Sequence, residues 1–425
     1  MKKDIVIIGA GPGGMEAAIH LGQSGLDVAL IDPRLGSPEG PQGILTVAKR
    51  SSIFGKGDCG QPSMEKDWVK HSEGPLNNMM IAGRRIIGKL NSGETLGHTF
   101  TRKQFWELML DAARSTSAEA IQDEVIEAEQ DDKGVTVKLK NGDPIKAKGV
   151  IYAAGVRNGS RIARQLDLGT PPVVHGIFGD IQFDGDDWNS PELCFLFNLE
   201  LVNHGYFWAA YGRKSNIISI GILDNKPPDE KLIQRFANTG IIPEIKNKVP
   251  SDIKLETGTL GAVSHKKSSG WPVKSHARRV LGIGEAIGAI STYVYEGVFH
   301  ARYLGMMAAR RFIQISKTNA WHDLQQYQAF DDDWKRLDDY LMHMARMQHH
   351  AMYHGIKNGQ IALEAYLKAF NKEKGVAVEN MVTQYLEFSN MRRYELPLFG
   401  AILNHVPFLD KLGVTSAMLA ARMQK

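Results

Sequence analysis

The sequence predicts an α/β protein with a parallel-sheet domain first, an antiparallel-sheet domain in the middle and a helical C-terminal region. Three observations predict it. A short β-branched run, Asp4 to Ile8, breaks at a glycine cluster, and a second apolar run, Val28 to Ile31, follows after one helix length. Between Pro172 and Leu223 the pattern changes to alternation of apolar and polar residues. From Asp323 to the end the periodicity is mostly helical. A chain of 425 residues suits two or three packed domains rather than one core.

The first element sets the theme. Ile5-Val6-Ile7-Ile8-Gly9-Ala10-Gly11-Pro12-Gly13-Gly14 contains the G-x-G-x-x-G pattern, Met15 to Gln23 reads as a helix, and Val28 to Ile31 ends at Asp32. Alone the pattern is weak, but strand before, helix after and a carboxylate at the end of the next strand make a Rossmann-type β-α-β unit. Gly9 permits the tight turn, Gly11 admits a pyrophosphate to the backbone, and Gly14 lets helix and strand pack closely. Free N–H groups and the helix dipole suit a diphosphate, and Asp32 can accept from ribose hydroxyls. No second complete copy occurs: Gly282-Ile283-Gly284 follows a strand, but no acidic strand end comes later. One permanently held dinucleotide is expected.

Residues 35–98, rich in Gly, Pro and Ser, read as long loops with short helices that carry site residues. Lys103 to Arg114 is an amphipathic helix. Val125 to Glu129, Val135 to Leu139 and Pro144 to Lys148 read as a small antiparallel sheet, and Gly149 to Ala154 as a separate apolar strand. Phe178 to Phe183, Leu193 to Leu199, Tyr206 to Tyr211 and Ile217 to Ile222 form the alternating set. Val280 to Gly284 is a buried strand, followed by a helix from about Gly297 to Ile315. The expected division is residues 1–171 with 256–318 as the nucleotide domain, 172–255 as the antiparallel-sheet substrate domain, and 319–425 as the helical C-terminal region.

Composition narrows the function classes. With 43% hydrophobic and 23% charged residues the chain reads as globular. A net charge of +4 on this length is too small to imply nucleic acid. Two cysteines, Cys59 and Cys194, imply neither a disulfide framework nor a metal ribbon, and a reducing cytoplasmic setting is expected. The N-terminal apolar stretch holds Glu16 and His20 and belongs to the fold rather than to a signal peptide. No apolar run approaches the ~20 residues that span a bilayer.

Five further blocks carry a family resemblance: Thr101-Arg102-Lys103-Gln104-Phe105-Trp106; Gly149 to Gly155; Gly282-Ile283-Gly284-Glu285-Ala286-Ile287-Gly288 with Tyr295-Glu296-Gly297-Val298; Phe54 to Gly60 with Cys59-Gly60; and Gly205-Tyr206-Phe207-Trp208-Ala209-Ala210-Tyr211. On these the chain resembles the single-Rossmann FAD proteins of the para-hydroxybenzoate hydroxylase fold. Among them it is most similar to the FAD-dependent geranylgeranyl reductase family, over roughly residues 1–315. The resemblance implies a Rossmann-type FAD-binding domain. Besides Gly9, Gly11, Gly14 and Asp32, it places Arg102 near the FAD, Glu285 and Gly288 at the ribitol, and Glu296-Gly297 at the helix start that faces the flavin. It implies a Cys-Gly loop at Cys59 near the flavin and a substrate-lining pair, Tyr206 and Trp208. Core packing explains that pair almost as well, and a buried inert thiol explains Cys59 equally well. The chain departs from the family pattern in four places. Ala154 stands where hydroxylases carry Asp, Glu285 where Asp is expected, Tyr295 where glycine is expected, and Tyr211 in the Phe-Pro position.

Other groups carry less. His343, His350 and His354 share a helical face, but no carboxylate or cysteine completes a metal site, so none is expected. Asp331-Asp332-Asp333 reads as a solvated helix face. His265 and His276 are the loop histidines from which a proton donor is open to choice. Leu396 to Met423 is apolar with sparse charge, compatible with membrane docking or with ordinary packing. The expected function is that of an FAD-dependent reductase of C=C bonds in a large apolar, prenyl or lipid-like substrate. The competing readings are an aromatic monooxygenase or halogenase, and a non-redox cyclase. NAD(P)H, ferredoxin or another reduced carrier would supply electrons. Expected partners are the apolar substrate, an electron carrier and a membrane surface touched peripherally.

Overall fold

A computed structural model describes residues 1–35, 43–48, 68–83, 87–91, 95, 97–156, 160–185, 188–198, 201–202, 205–262, 273–290, 295 and 297–341. It also describes 361, 364–365, 367–368, 371, 404, 406, 411 and 415. Cys59, Glu296, His265, His343, His350, His354 and nearly all of 396–423 lie outside the described residues.

The first sheet is Rossmann-type. Strands β1 (Lys2–Ile8), β2 (Val28–Ile31), β8 (Ala118–Ile121), β11 (Ile145–Tyr152) and β18 (Val280–Gly282) run parallel in the order β18-β11-β1-β2-β8. The short β17 (His276–Ala277) pairs antiparallel with β18, and the hairpin β9 (Val125–Gln130) and β10 (Val135–Leu139) attaches to β11. Strand β1 shows why the run at Ile5–Ile8 is apolar throughout. Ile5 and Ile7 pack beneath α1 (Pro12–Gln23), α2 (Arg102–Arg114) and α5 (Val298–Thr318). Val6 and Ile8 pack on the opposite face with the hairpin and α3 (Ser160–Gln165). A strand covered on both faces needs apolar residues at both parities.

The strands expected at Pro144 to Lys148 and Gly149 to Ala154 are one continuous element, β11. Gly149 looks like a break in the sequence. In the fold it is an interior strand position whose missing Cβ makes room for the Phe312 ring and Ile5.

Among the described residues the second sheet has seven strands, in the order β16 (Glu256–Gly261), β12 (Val173–Gln182), β15 (Ile217–Asp224), β14 (Tyr206–Gly212), β13 (Leu193–Leu196), β5 (Asn78–Ala82) and β6 (Ile87–Asn91). Its centre matches the alternating segment: β12, β13, β14 and β15. Three strands come from outside 172–255: β5, β6 and β16. A third sheet, β3 (Ile44–Ala48), β7 (Gly97–Thr101) and β4 (Gly74–Leu76) in that spatial order, comes from the segment between β2 and α2. The expectation of loops and short helices over 35–98 is therefore corrected. The described part holds five short strands and one short 3-10 turn at Trp68–His71. They have no alternating signature of their own because distant partners stabilise them, as in the parallel pairing of β5 with β13.

Helix α4 (Lys231–Asn238) and Phe207 back the second sheet, with Phe207 stacked on Phe236 at 5.3 Å. Helix α6 (Leu324–Leu341) packs on β17. Its Asp331 is not solvated as expected. It is buried and accepts from the Ser275 hydroxyl at 2.5 Å, because the first turns of α6 face the sheet edge. Among the described residues, no helix is long and apolar enough to cross a membrane.

Candidate active site

A cavity of about 480 Å³ opens where the C-terminal ends of β1, β2, β11 and β18 meet one face of the second sheet. Ligands of open parallel sheets bind at these strand ends.

The Rossmann side is built from the glycine turn. Gly9 adopts φ +104°, and a Cβ at Gly14 would overlap the Gly9 carbonyl oxygen. Neither position accepts a side chain without moving backbone. Gly11, the N-cap of α1, faces open space and has no side-chain cap, so the first N–H groups of α1 point to the cavity. At the end of β2, Asp32 lines the same cavity; its carboxylate accepts from Ala10 N at 2.9 Å and Arg34 N at 2.7 Å. These bonds fix the carboxylate beside the turn.

A second uncapped helix start enters from the other end. Gly297, the N-cap of α5, has no side-chain cap, and Gly297, Val298 and Ala301 line the cavity. Glu285 lines it from the short 3-10 turn after β18, and Gly288 closes that turn at φ +73°. The two helices are locked together behind the cavity. A Cβ at Gly305 would overlap the Gly13 carbonyl, and Arg302 Nε donates to Glu16 Oε2 at 2.8 Å with both side chains buried.

Arg102 begins α2 directly after a capping box in which Thr101 and Gln104 satisfy each other's backbone N–H. Its guanidinium lies over the Phe178 ring at 5.6 Å and 3.8 Å from Glu256, and it lines the cavity. Ala154 also lines it, without the carboxylate a hydroxylase has there.

The sheet side is aromatic. Tyr206 and Trp208, two apart on β14, both line the cavity with rings 6.3 Å apart, while Phe207 between them faces the opposite core. Tyr206 packs against Phe195 at 5.3 Å and near-parallel to Tyr295 at 6.2 Å. Burial, reinforced by the Asp224 carboxylate, pushes the Tyr295 phenol well above its ordinary range, so it stays protonated. The six-membered ring of Trp208 occupies the space that a Cβ would take at Gly221, its direct partner in β15.

Of the residues singled out from the sequence, Gly11, Asp32, Arg102, Glu285, Gly297, Tyr206 and Trp208 line one cavity. Gly9, Gly14 and Gly288 shape the turns behind it. Cys59 and Glu296 lie outside the described residues. His276 does not line the cavity; it sits on β17 with Nδ1 3.9 Å from Asp331. Phe178, Phe195, Leu223 and Ser219 complete the sheet wall and were not singled out. Only the lone glycine at 221, inside an apolar strand, signalled a close approach there.

A glycine turn, a strand-end carboxylate and two uncapped helix starts around one cavity define a Rossmann-type dinucleotide-binding protein. Residues 3–84 match the family described as pyridine nucleotide-disulphide oxidoreductase. The digeranylgeranylglycerophospholipid reductase of Methanocaldococcus jannaschii is 24% identical over 352 residues, covering 80% of this chain and 84% of that protein. Among solved structures, a geranylgeranyl bacteriochlorophyll reductase-like protein of Thermoplasma acidophilum superposes with a TM-score of 0.66 at 18% identity. It covers 96% of this chain and 98% of that one. The flavin-dependent brominase Bmp2 gives 0.59 at 15% identity, covering 100% and 98%. The chain is an FAD-dependent oxidoreductase, and its sequence is similar to that of the digeranylgeranylglycerophospholipid reductases, in line with its sequence blocks.

Proposed function

We propose that this protein reduces C=C bonds in a large apolar substrate of prenyl or lipid-like character. The observation that carries this reading is that the FAD cradle and the Tyr206/Trp208 wall share one cavity. An alkene chain offers nothing to hydrogen-bond, so shape and apolar surface must hold it, and the aromatic face of β14 supplies both. The missing carboxylate at Ala154 favours reduction over hydroxylation.

The residues present fit FAD. Gly11 leaves open space at the start of α1 that would admit the pyrophosphate, and Asp32, at the end of β2, would accept from the adenosine ribose. Arg102 and Glu285 line the cavity between the two helix starts and would hold the middle of the cofactor, and the N–H groups at the start of α5 by Gly297 would meet the flavin edge. When bound, FAD in its reduced form supplies the hydride for the alkene carbon. The protein's part is to align the double bond, exclude water with the aromatic wall and place partial positive charge beside the flavin. Cys59 belongs to the same proposal through its Cys-Gly block. NAD(P)H, ferredoxin or another reduced carrier delivers the electrons, in a cytoplasmic setting with peripheral membrane contact to reach a lipid.

Anaerobic reduction followed by addition of polyprenyl compounds tests the proposal. Reoxidation of the flavin with saturation of the chain is expected. If no prenyl compound reoxidises it, and an aromatic substrate instead drives oxygen consumption, the monooxygenase or halogenase reading replaces this one.

A further inference from the structure

We infer that Tyr295 is a specificity-determining residue that bounds the cavity between Gly297 and the aromatic sheet wall and sets the longest prenyl chain the cavity admits. This rests on the reductase reading above and deepens it.

Tyr295 has φ +45°, a region that residues other than glycine, Asn and Asp rarely occupy. The related block has glycine at this position, which would take the same backbone freely. A bulky residue held in an unfavourable conformation points to a use for its side chain. The structure shows that use. The ring is buried, stacks at 17° on Tyr206 and lines the cavity two residues before Gly297. It therefore joins the Gly297 side of the cavity to the aromatic sheet wall. Glycine there would remove the ring stacked on Tyr206 and enlarge the apolar volume by roughly the bulk of that phenol ring, about one isoprene unit.

The discriminating set is wild type, Tyr295→Gly, Tyr295→Asn and Tyr295→Phe. Asparagine tolerates the backbone conformation and removes the ring; phenylalanine keeps the ring and removes the hydroxyl. Each FAD-loaded protein is offered prenyl alcohols of two, three and four isoprene units. Equilibrium binding to the oxidised protein is measured by calorimetry, and anaerobic reoxidation of the reduced flavin by stopped flow. In the second assay the alkene gains a hydride from the reduced flavin and a proton from the protein or water, and the flavin is oxidised.

Both ring-removing variants are expected to shift the preferred length upward by one unit. The long-to-short ratio should rise about tenfold or more in binding and rate, since even one methylene in a hydrophobic pocket discriminates that strongly. Tyr295→Phe should match wild type. If Tyr295→Gly fails to fold, Tyr295→Asn decides. Unchanged ratios in the ring-removing variants, with wild type reoxidised by prenyl chains, overturn the role of Tyr295 and leave the reductase reading intact. So does a Tyr295→Phe variant that behaves like Tyr295→Gly. Failure of every prenyl chain to reoxidise wild type overturns the reductase reading and the inference together.

Discussion

Replacing Arg302 by methionine should destabilise the protein by about 3–5 kcal/mol at neutral pH, the cost of stranding a buried charge. The structure sets this magnitude. Glu16 and Arg302 are 3% and 2% exposed, and their bond ties α1 to α5 directly behind the cavity. Arg302 also lies over Trp68 at 5.5 Å and Phe105 at 5.8 Å, contacts that a flexible thioether partly keeps. Without the guanidinium, Glu16 retains, among the described residues, only His20, at 3.1 Å. In the native protein burial raises the Glu16 pKa, but Arg302 and His20 outweigh burial and hold it below the ordinary carboxylate range. A depressed folded-state pKa stabilises above the unfolded value, about 4.3, and the contribution is lost as pH falls through the folded value. In Arg302→Met burial dominates and the folded pKa rises above the unfolded one. The variant is then penalised at neutral pH and relieved below about 4.3, where Glu16 is protonated in both states. The stability gap between the two proteins should therefore shrink on acidification from pH 7 to pH 4. Urea unfolding followed by circular dichroism, on apoprotein and on the FAD-loaded form, measures it. A gap under about 1 kcal/mol, or one that does not change with pH, refutes the reasoning. The double variant Glu16→Leu with Arg302→Met should return to within about 1 kcal/mol of wild type or exceed it, since removing both partners strands nothing.

Three further outcomes follow from the site. Asp32→Ala removes the proposed ribose acceptor and should weaken FAD binding by about 1.5–3 kcal/mol, or roughly 10- to 150-fold in Kd, read by titrating apoprotein with FAD. Gly14→Ala places a methyl group on the Gly9 carbonyl, which cannot retreat without opening the turn; the purified protein should be colourless where wild type is yellow. Gly221→Ala should lift the Trp208 ring off β15, leaving FAD stoichiometry unchanged while lowering the rate of flavin reoxidation by prenyl chains about tenfold. Wild-type rates in that variant would remove Trp208 from the substrate wall.

The sequence by itself determined the Rossmann-type half of this protein. The β-branched run, Gly9, Gly11 and Gly14, and Asp32 act through local geometry: a turn, a helix start and a strand end within 32 residues. Such signals need no distant partner to be legible. The alternation on β14 likewise placed Tyr206 and Trp208 on one face before any fold was known. Tertiary structure decided the rest because it depends on contacts far apart in the chain. Gly149 continues a strand because Phe312 packs against it, and β5 is a strand because β13 pairs with it. Asp331 is buried because α6 turns that residue toward Ser275. The joining of the aromatic wall to the cofactor cradle, with Tyr295 between them, belongs to this second kind. It brings positions 32, 206 and 295 to the walls of one cavity, and only the folded backbone does so.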